Sequence, residues 1–275
     1  MRPGALLVVS TPIGHLGDFS FRGVAALQSA AVVAAEDTRH TRTLLAHYGI
    51  ATPLVSLHAH SGPGKIAQLL DRVAAGDTVA YVTDAGTPGI SDPGGQLVAE
   101  AHRRGLAVTP VPGASAVLAA LAAAGVPFDR FVFLGFLPRK GAARTALLER
   151  IAGETLTSVC YEAPGRTSPL LEDLAAACGP DREAAVAREL TKVHEEIRRG
   201  TLGELAAYYQ QHPVRGEVTI VIGGRAEGAA PAVSEADAAT LVRELAGTGT
   251  RAAVAKELAR RLGISRRDAY RMIAP

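Results

Sequence analysis

The sequence predicts an α/β protein: two α/β domains followed by a small helical module. Three observations carry that expectation. Short apolar runs alternate with helix-length segments from residue 5 to residue 111 and again from 131 to 222. Loops dense in Gly, Pro and Asp follow the apolar runs, as in folds that collect ligands at the carboxyl ends of parallel strands. Beyond residue 233 the strand patterns stop and only helical spacing remains.

Taken in order, Ala5 to Ser10 is a continuous apolar run, which marks a strand buried on both faces. Ser20 to Ser29 reads as a helix, Ala31 to Ala35 as a strand and Thr38 to His47 as a helix. A strand near Val55 precedes a helix over Gly64 to Ala75, and Thr78 to Val82 is again a strand. The loop after it, running into Asp84-Ala85-Gly86-Thr87-Pro88-Gly89, is long for a βα turn. A helix is expected to begin near Asp92-Pro93, where Asp caps and Pro fits the first turn, and to run over Gly94 to Arg104. Ala107 to Val111 is the last strand of the set. This rhythm argues a parallel sheet with helices on its faces. Val111-Pro112-Gly113-Ala114-Ser115 breaks the pattern and places a domain boundary there, giving domains 1–113 and 114–226.

An alanine-rich helix then runs to about Ala124. The second set has strands Phe131 to Gly135, Thr157 to Tyr161, Ala184 to Ala187 and Glu217 to Ile222, and helices Ala142 to Ile151, Ser168 to Ala177 and Leu202 to Gln210. Gly223 to Val233 reads as a linker. The module 232–275 follows. Ser234 caps a helix over Glu235 to Ala246. A second helix from Thr250 puts Val254, Leu258 and Leu262 on one face, and Gly263 ends it. Ser265 caps a third, with Ala269, Met272 and Ile273 inward. Helix, Gly-containing turn and helix make the helix-turn-helix plan.

Hydrophobic residues are 48% of the 275, enough for a real core, and aromatic content of 4% without Trp makes that core aliphatic. No apolar run reaches the length of a membrane span, and Ala5 to Val9 is too short for a signal segment. The expectation is a cytoplasmic protein with no membrane partner. Cys160 and Cys178 match no zinc spacing and read as buried thiols; no metal site is expected. Net charge is only +2, yet residues 251–275 hold seven basic and two acidic side chains, a local +5 on a body of −3. That skew suggests a polyanion partner, with Arg266, Arg267 and Arg271 on the outer face of the last helix, where they can meet phosphate.

The familiar fingerprints are absent: no Gly-x-Gly-x-x-Gly after the first strand, no Walker A motif, no His-Glu-x-x-His, no Gly-x-Ser-x-Gly. Instead Ser10-Thr11-Pro12-Ile13-Gly14-His15-Leu16-Gly17-Asp18, Glu36-Asp37-Thr38-Arg39, Asp84-Ala85-Gly86-Thr87-Pro88-Gly89-Ile90-Ser91-Asp92-Pro93-Gly94 and Val111-Pro112-Gly113-Ala114-Ser115-Ala116 resemble the tetrapyrrole-methylase superfamily. Gly135-Phe136-Leu137-Pro138-Arg139-Lys140, Tyr161-Glu162-Ala163-Pro164-Gly165-Arg166, Arg188-Glu189-Leu190-Thr191-Lys192 and Gly216-Glu217-Val218-Thr219 resemble its branch acting on small-subunit ribosomal RNA. The likeness spans essentially the whole chain. It departs after the strand near Val55: His58-Ala59-His60-Ser61 stands where the branch has a His-Asn-Glu-like patch, so no role for Asn or Glu carries over there.

The resemblance implies two α/β domains with S-adenosylmethionine bound in a cleft between them, and transfer of its methyl to the ribose 2′-hydroxyl of a cytidine in the decoding region of 16S ribosomal RNA. The partner is then 16S RNA or the 30S subunit, and the protein a homodimer. Carried over residue by residue, the donor pocket takes Pro12, Asp84, Thr87, Ser115, Ala116, Tyr161 and Val218, with Asp84 as polar anchor. Glu36 or Asp37 is the candidate base, beside Arg39, unless these carboxylates are structural partners of Arg39 and Arg42. Arg42, Lys140, Arg144, Arg166 and Lys192, the last with Glu189, are candidate RNA contacts. The alternatives are a tetrapyrrole or protein-side-chain methyltransferase of the same fold, or a non-catalytic RNA-binding protein. Thr-Pro-Ile-Gly in the first loop stands against the corrin pathway, whose enzymes show Gly-x-Gly-Pro-Gly-Asp there.

Overall fold

The computed structural model describes residues 4–58, 61–92, 94–225, 235–245, 250–262 and 266–273. The chain divides into two compact units. One comprises the residues up to Ala122 together with Glu189–Glu196; the other comprises Ala123–Arg188 and the residues from Ile197 onward.

In the first unit β1 (Ala5–Val9), β2 (Val32–Ala35), β3 (Leu54–Ser56), β4 (Val79–Val82) and β5 (Ala107–Val111) form one sheet in the order β3-β2-β4-β1-β5. Every pairing is parallel. The helices between them are α1 (Phe21–Ser29), α2 (Thr38–His47), α3 (Pro63–Ala74) and α4 (Gly95–Arg103). The period-2 alternation of a strand sorts the side chains. Val9, Val33, Ala35, Ala80 and Val82 pack with Leu27, Leu44 and Leu45 from α1 and α2. Leu6, Val32, Ala34, Val79 and Tyr81 pack with Leu69, Leu70 and Leu97 from α3 and α4. Both faces are covered, which is why the strands read as unbroken apolar runs.

Helix α5 (Ala116–Ala124) leads to the second sheet, β6 (Phe131–Phe136), β7 (Thr157–Glu162), β8 (Glu183–Arg188), β9 (Glu196–Thr201) and β10 (Val218–Ile222), in the order β6-β7-β10-β8-β9. This sheet is mixed: β6 runs parallel to β7, and β10 lies antiparallel to both β7 and β8. Helices α6 (Ala142–Gly153), α7 (Thr167–Cys178) and α8 (Leu202–Gln211) supply Ile151, Leu170, Leu171, Leu174, Leu202 and Leu205 to a core closed by Cys160, Val186, Ile220 and Ile222. A capping box holds the start of α8: Thr201 Oγ1 accepts from Glu204 N and Glu204 Oε2 accepts from Thr201 N. Both cysteines are buried, and burial pushes the Cys160 thiol up to about 12.

The C-terminal segment holds α9 (Glu235–Leu245), α10 (Arg251–Leu262) and α11 (Arg266–Met272). Val254, Leu258 and Ala269 are buried together, with Ile273 packed against them. Met272 is 42% exposed, against the expectation that it faces inward. The linker residues 226–234, the caps Ser234 and Ser265, and the stop Gly263 lie outside the described residues. No helix among the described residues is long and apolar enough to cross a membrane.

Two further elements depart from the sequence reading. Strand β9 was not expected, because Glu196-Ile197-Arg198-Arg199 has no apolar run; it is an edge strand, where charge is tolerated and protective. Helix α4 begins at Gly95, later than Asp92-Pro93. Gly94 sits at its head with φ 126°, and no side chain caps it. Ser91 is also left-handed, at φ 63°. Any Cβ on Gly94 would run into the Tyr81 ring. Pro93 lies outside the described residues.

Candidate active site

Because β2, β4, β1 and β5 are parallel neighbours, the loops leaving their carboxyl ends emerge side by side. These are the Glu36-Asp37, Thr83–Gly94, Ser10–Asp18 and Pro112–Ser115 segments, and hydrogen bonds knit them together. Thr11 and Gly86 exchange both backbone bonds, Thr11 N to Gly86 O at 2.9 Å and Gly86 N to Thr11 O at 3.1 Å. The Thr11 hydroxyl donates to Thr83 O at 3.2 Å. Ser10 N donates to Val111 O at 3.0 Å. Thr87 Oγ1 donates to Ala114 O at 3.2 Å and lies 2.9 Å from Ser10 Oγ. A hydroxyl has one proton, so Ser10 is the donor of that second bond. Gly113 passes so close that a Cβ would stand 3.0 Å from Ser10 Cβ. The result is a bare, firmly held backbone at the carboxyl ends of the strands.

Five of the expected donor-pocket residues belong to this assembly. Asp84 Oδ1 accepts the Asp37 amide at 2.9 Å, which orients its carboxylate. Thr87 is the central hydroxyl. Pro12 is buried between the Thr11 bridge and Ile13. Ser115 O accepts from Ala119 N at 2.9 Å and so opens α5, whose first residue is Ala116. Tyr161 and Val218 lie in the other unit, on the adjacent strands β7 and β10. Tyr161 packs edge-on to Phe133 with ring centroids 4.9 Å apart, and tilted against Phe136 at 5.5 Å.

The two adjacent carboxylates of the Glu36-Asp37 pair have different environments. Asp37 caps α2, accepting from Arg39 N at 2.8 Å, and pairs with the Arg39 guanidinium at 2.7 Å. Those bonds hold its carboxyl down at about 2, a weak base. Arg39 itself is 87% exposed. Glu36 turns the other way and accepts from the Thr83 hydroxyl at 3.0 Å. Burial raises its pKa, opposed by the Thr83 bond, with Asp92 and Asp84 raising it further. The same carboxylates and, first of all, burial keep the Tyr81 phenol protonated. Tyr81, Gly94, His58 and Ser61 line a cavity of about 260 Å³ in this unit. His60, the second histidine of the sequence motif, lies outside the described residues.

The expected RNA contacts divide sharply. Arg42 and Lys140 are exposed. Arg144 is turned onto Asp173 at 2.6 Å and onto Pro138 O at 3.1 Å. Arg166 pairs at 2.9 Å with Glu162, whose side chain is 0% exposed, and donates to Leu137 O at 2.8 Å. Lys192 pairs with Glu189 at 2.9 Å. Arg271 is exposed, and the side chains of Arg266 and Arg267 lie outside the described set. Thr11 and Thr83, to which the sequence reading assigns no role, tie the loops together through their hydroxyls. A Thr one or two positions past a buried strand is the signal that points to them.

Comparison with known proteins agrees with the fold. The family model described as Tetrapyrrole (Corrin/Porphyrin) Methylases matches residues 5–206. A protein of Synechocystis sp. named ribosomal RNA small subunit methyltransferase I is 44% identical over 98% of this chain and 97% of its own length. One of the same name from Xylella fastidiosa is 46% identical over 85% of this chain and 86% of its own length. Among solved structures, the cobalamin biosynthetic enzyme cobalt precorrin-4 methyltransferase superposes with a TM-score of 0.62 at 21% identity, over 80% of this chain and 94% of that one. Uroporphyrin-III C-methyltransferase from Thermus thermophilus, complexed with S-adenosyl homocysteine, gives 0.56 at 21% identity, over 80% and 97%.

Proposed function

The chain belongs to the tetrapyrrole (corrin/porphyrin) methylase family, and we propose that it transfers the methyl of S-adenosylmethionine to the ribose 2′-hydroxyl of a cytidine in the decoding region of 16S ribosomal RNA. The observation that carries the acceptor class is similarity over 82–98% of the chain: relatives at 43–46% identity bear the name ribosomal RNA small subunit methyltransferase I. The basic stretch after residue 250 suits a polyanionic substrate. Exposed Phe21, Leu118 and Phe136 are apolar side chains that a homodimer contact would cover.

The donor set fits the methyl donor. Asp84 offers a carboxylate to its cationic and N–H groups, Thr87 and the Ala114-Ser115 backbone offer acceptors, and the close approach of Gly113 to Ser10 leaves bare backbone for contact. When bound, the sulfonium supplies a methyl that is already electrophilic. The chain must then align a hydroxyl with it, and positioning of this kind is worth about 7–11 kcal/mol. Glu36 takes the hydroxyl proton. Its raised pKa makes it a better acceptor than Asp37, and a positioned base adds about 10²–10⁴-fold. Asp37 and Arg39 hold the head of α2 and the Asp84 carboxylate in place.

Incubation with labelled donor and either 30S particles or naked 16S RNA, followed by nucleotide-resolution mapping, tests this. The expected product is one 2′-O-methylcytidine in the decoding region. A methylated base, or label in a tetrapyrrole but not in RNA, would overturn it.

A further inference from the structure

Between β8 and β9 the chain leaves the second unit, and Glu189–Glu196 packs as part of the first. This strap is strained. Glu189 has φ 49° and Thr191 φ 66°. Left-handed backbone is uncommon outside glycine and a true outlier for β-branched Thr, so it persists only where the surroundings hold it. Specific bonds hold it. Lys192 N donates to Glu189 O at 2.9 Å, Thr191 N donates to Glu195 Oε2 at 2.6 Å, and Lys192 Nζ reaches Glu189 Oε1 at 2.9 Å.

What the strain achieves is the placement of one hydroxyl. Thr191 Oγ1 accepts from His15 N at 3.0 Å, across 176 residues of sequence. His15 in turn accepts from Gly17 N through Nδ1 at 3.1 Å and caps the 3₁₀ turn Leu16–Asp18. The strap also lies flat on Gly14: a Cβ there would stand 2.5 Å from Lys192 Cγ and 2.7 Å from Thr191 Oγ1. Gly14 does not have a left-handed φ, so its missing side chain serves clearance. The segment Pro12–Gly14 is thus pinned at both ends, by the Thr11–Gly86 bridge on one side and by Thr191 on the other.

We infer that the Glu189–Glu196 strap is the clamp that fixes the Pro12–Gly14 loop in its donor-binding shape, with Thr191 as a positioning residue. The inference rests on the donor-site reading above. The strap thereby sets donor affinity through the loop, and the local backbone strain is maintained because the clamp geometry requires it.

The test compares Thr191→Val, which removes the acceptor at nearly constant shape, with Thr191→Ser, which keeps it. Donor affinity is read by calorimetry with S-adenosylmethionine alone, and loop clamping by hydrogen exchange at the His15 amide. Thr191→Val should weaken donor binding about five- to tenfold, the size of one lost hydrogen bond, and speed His15 exchange by a similar factor. Thr191→Ser should restore both. Gly14→Ala should weaken donor binding in the same direction and combine non-additively with Thr191→Val, as contacting residues do. Thr191→Val with unchanged donor affinity, or with unchanged His15 exchange, overturns the clamp while leaving the methyltransferase reading intact. Wild-type protein that does not bind S-adenosylmethionine overturns that reading first, and the donor role of the strap with it.

Discussion

Replacing Glu36 by Gln separates charge from shape. The amide oxygen of Gln can still accept from the Thr83 hydroxyl, which the native carboxylate engages at 3.0 Å. Only the negative charge is lost, and burial together with Asp92 and Asp84 disfavours that charge. Because the folded-state pKa lies above the ordinary 4.5, the folded protein holds this proton more tightly than the unfolded chain does. The stabilisation this provides is complete below the unfolded value and is lost as pH rises through the raised one. At neutral pH the ionised side chain therefore costs stability. The neutral isostere is expected to hold Tm or raise it. Activity should move the other way: kcat falls about 10²–10⁴-fold while donor affinity stays unchanged. The assay is single-turnover methyl transfer to 30S particles, with calorimetry for the donor and a thermal scan for the fold. The wild-type rate should fall on the acid side with a midpoint above 4.5, and the variant should lack that limb. Glu36→Gln that folds normally and keeps more than about a tenth of kcat removes Glu36 as the base; a variant that loses both Tm and rate makes its role structural.

Asp84→Asn should weaken S-adenosylmethionine binding about 10- to 100-fold, the range for a hydrogen bond to a charged group, and equal affinity by calorimetry would remove Asp84 as the anchor. Arg166→Met leaves Glu162 buried and without its guanidinium, so urea unfolding should show a loss of about 3–5 kcal/mol; a stable variant with weakened RNA binding would instead make Arg166 an RNA contact. Deletion from residue 232 onward should lower RNA affinity and flatten the slope of log K against log salt, and an unchanged slope would limit the basic stretch to a structural part.

The first sheet was legible in the sequence because both of its faces are covered, so Ala5–Val9, Val32–Ala35 and Val79–Val82 each appear as an uninterrupted apolar run. The second sheet hid its mixed direction. Strand polarity depends on which strands pair, and Val218–Ile222 gives no sign that it inserts antiparallel between β7 and β8. Strand β9 stayed invisible because an edge needs no apolar pattern. Asp92-Pro93 is a fair cap signal locally, but α4 starts at Gly95, after a Gly94 that carries φ 126° and leaves no room for a Cβ beside the Tyr81 ring.

At the site, the motif residues were legible as a group but not as individuals, and the difference is one of range. Asp37 was decidable from the sequence. A helix expected to start at Thr38 makes Asp37 its N-cap, and a capping carboxylate beside Arg39 is a weak base. Glu36 was not decidable, because its partner Thr83 lies 47 positions away. The basic residues follow the same rule. The Arg166–Glu162 pair spans only four positions but joins the end of a strand to the turn after it, and Arg144 meets Asp173 across 29 residues. Arg144 and Arg166, both expected at RNA, thus each pair with a carboxylate of the fold. The strap is the extreme case. Its Arg-Glu-Leu-Thr-Lys stretch offers a lysine to an RNA reading, while its hydroxyl reaches back to His15 on the first loop. Long-range contacts of that kind decide which polar residue binds, which positions and which only balances a charge.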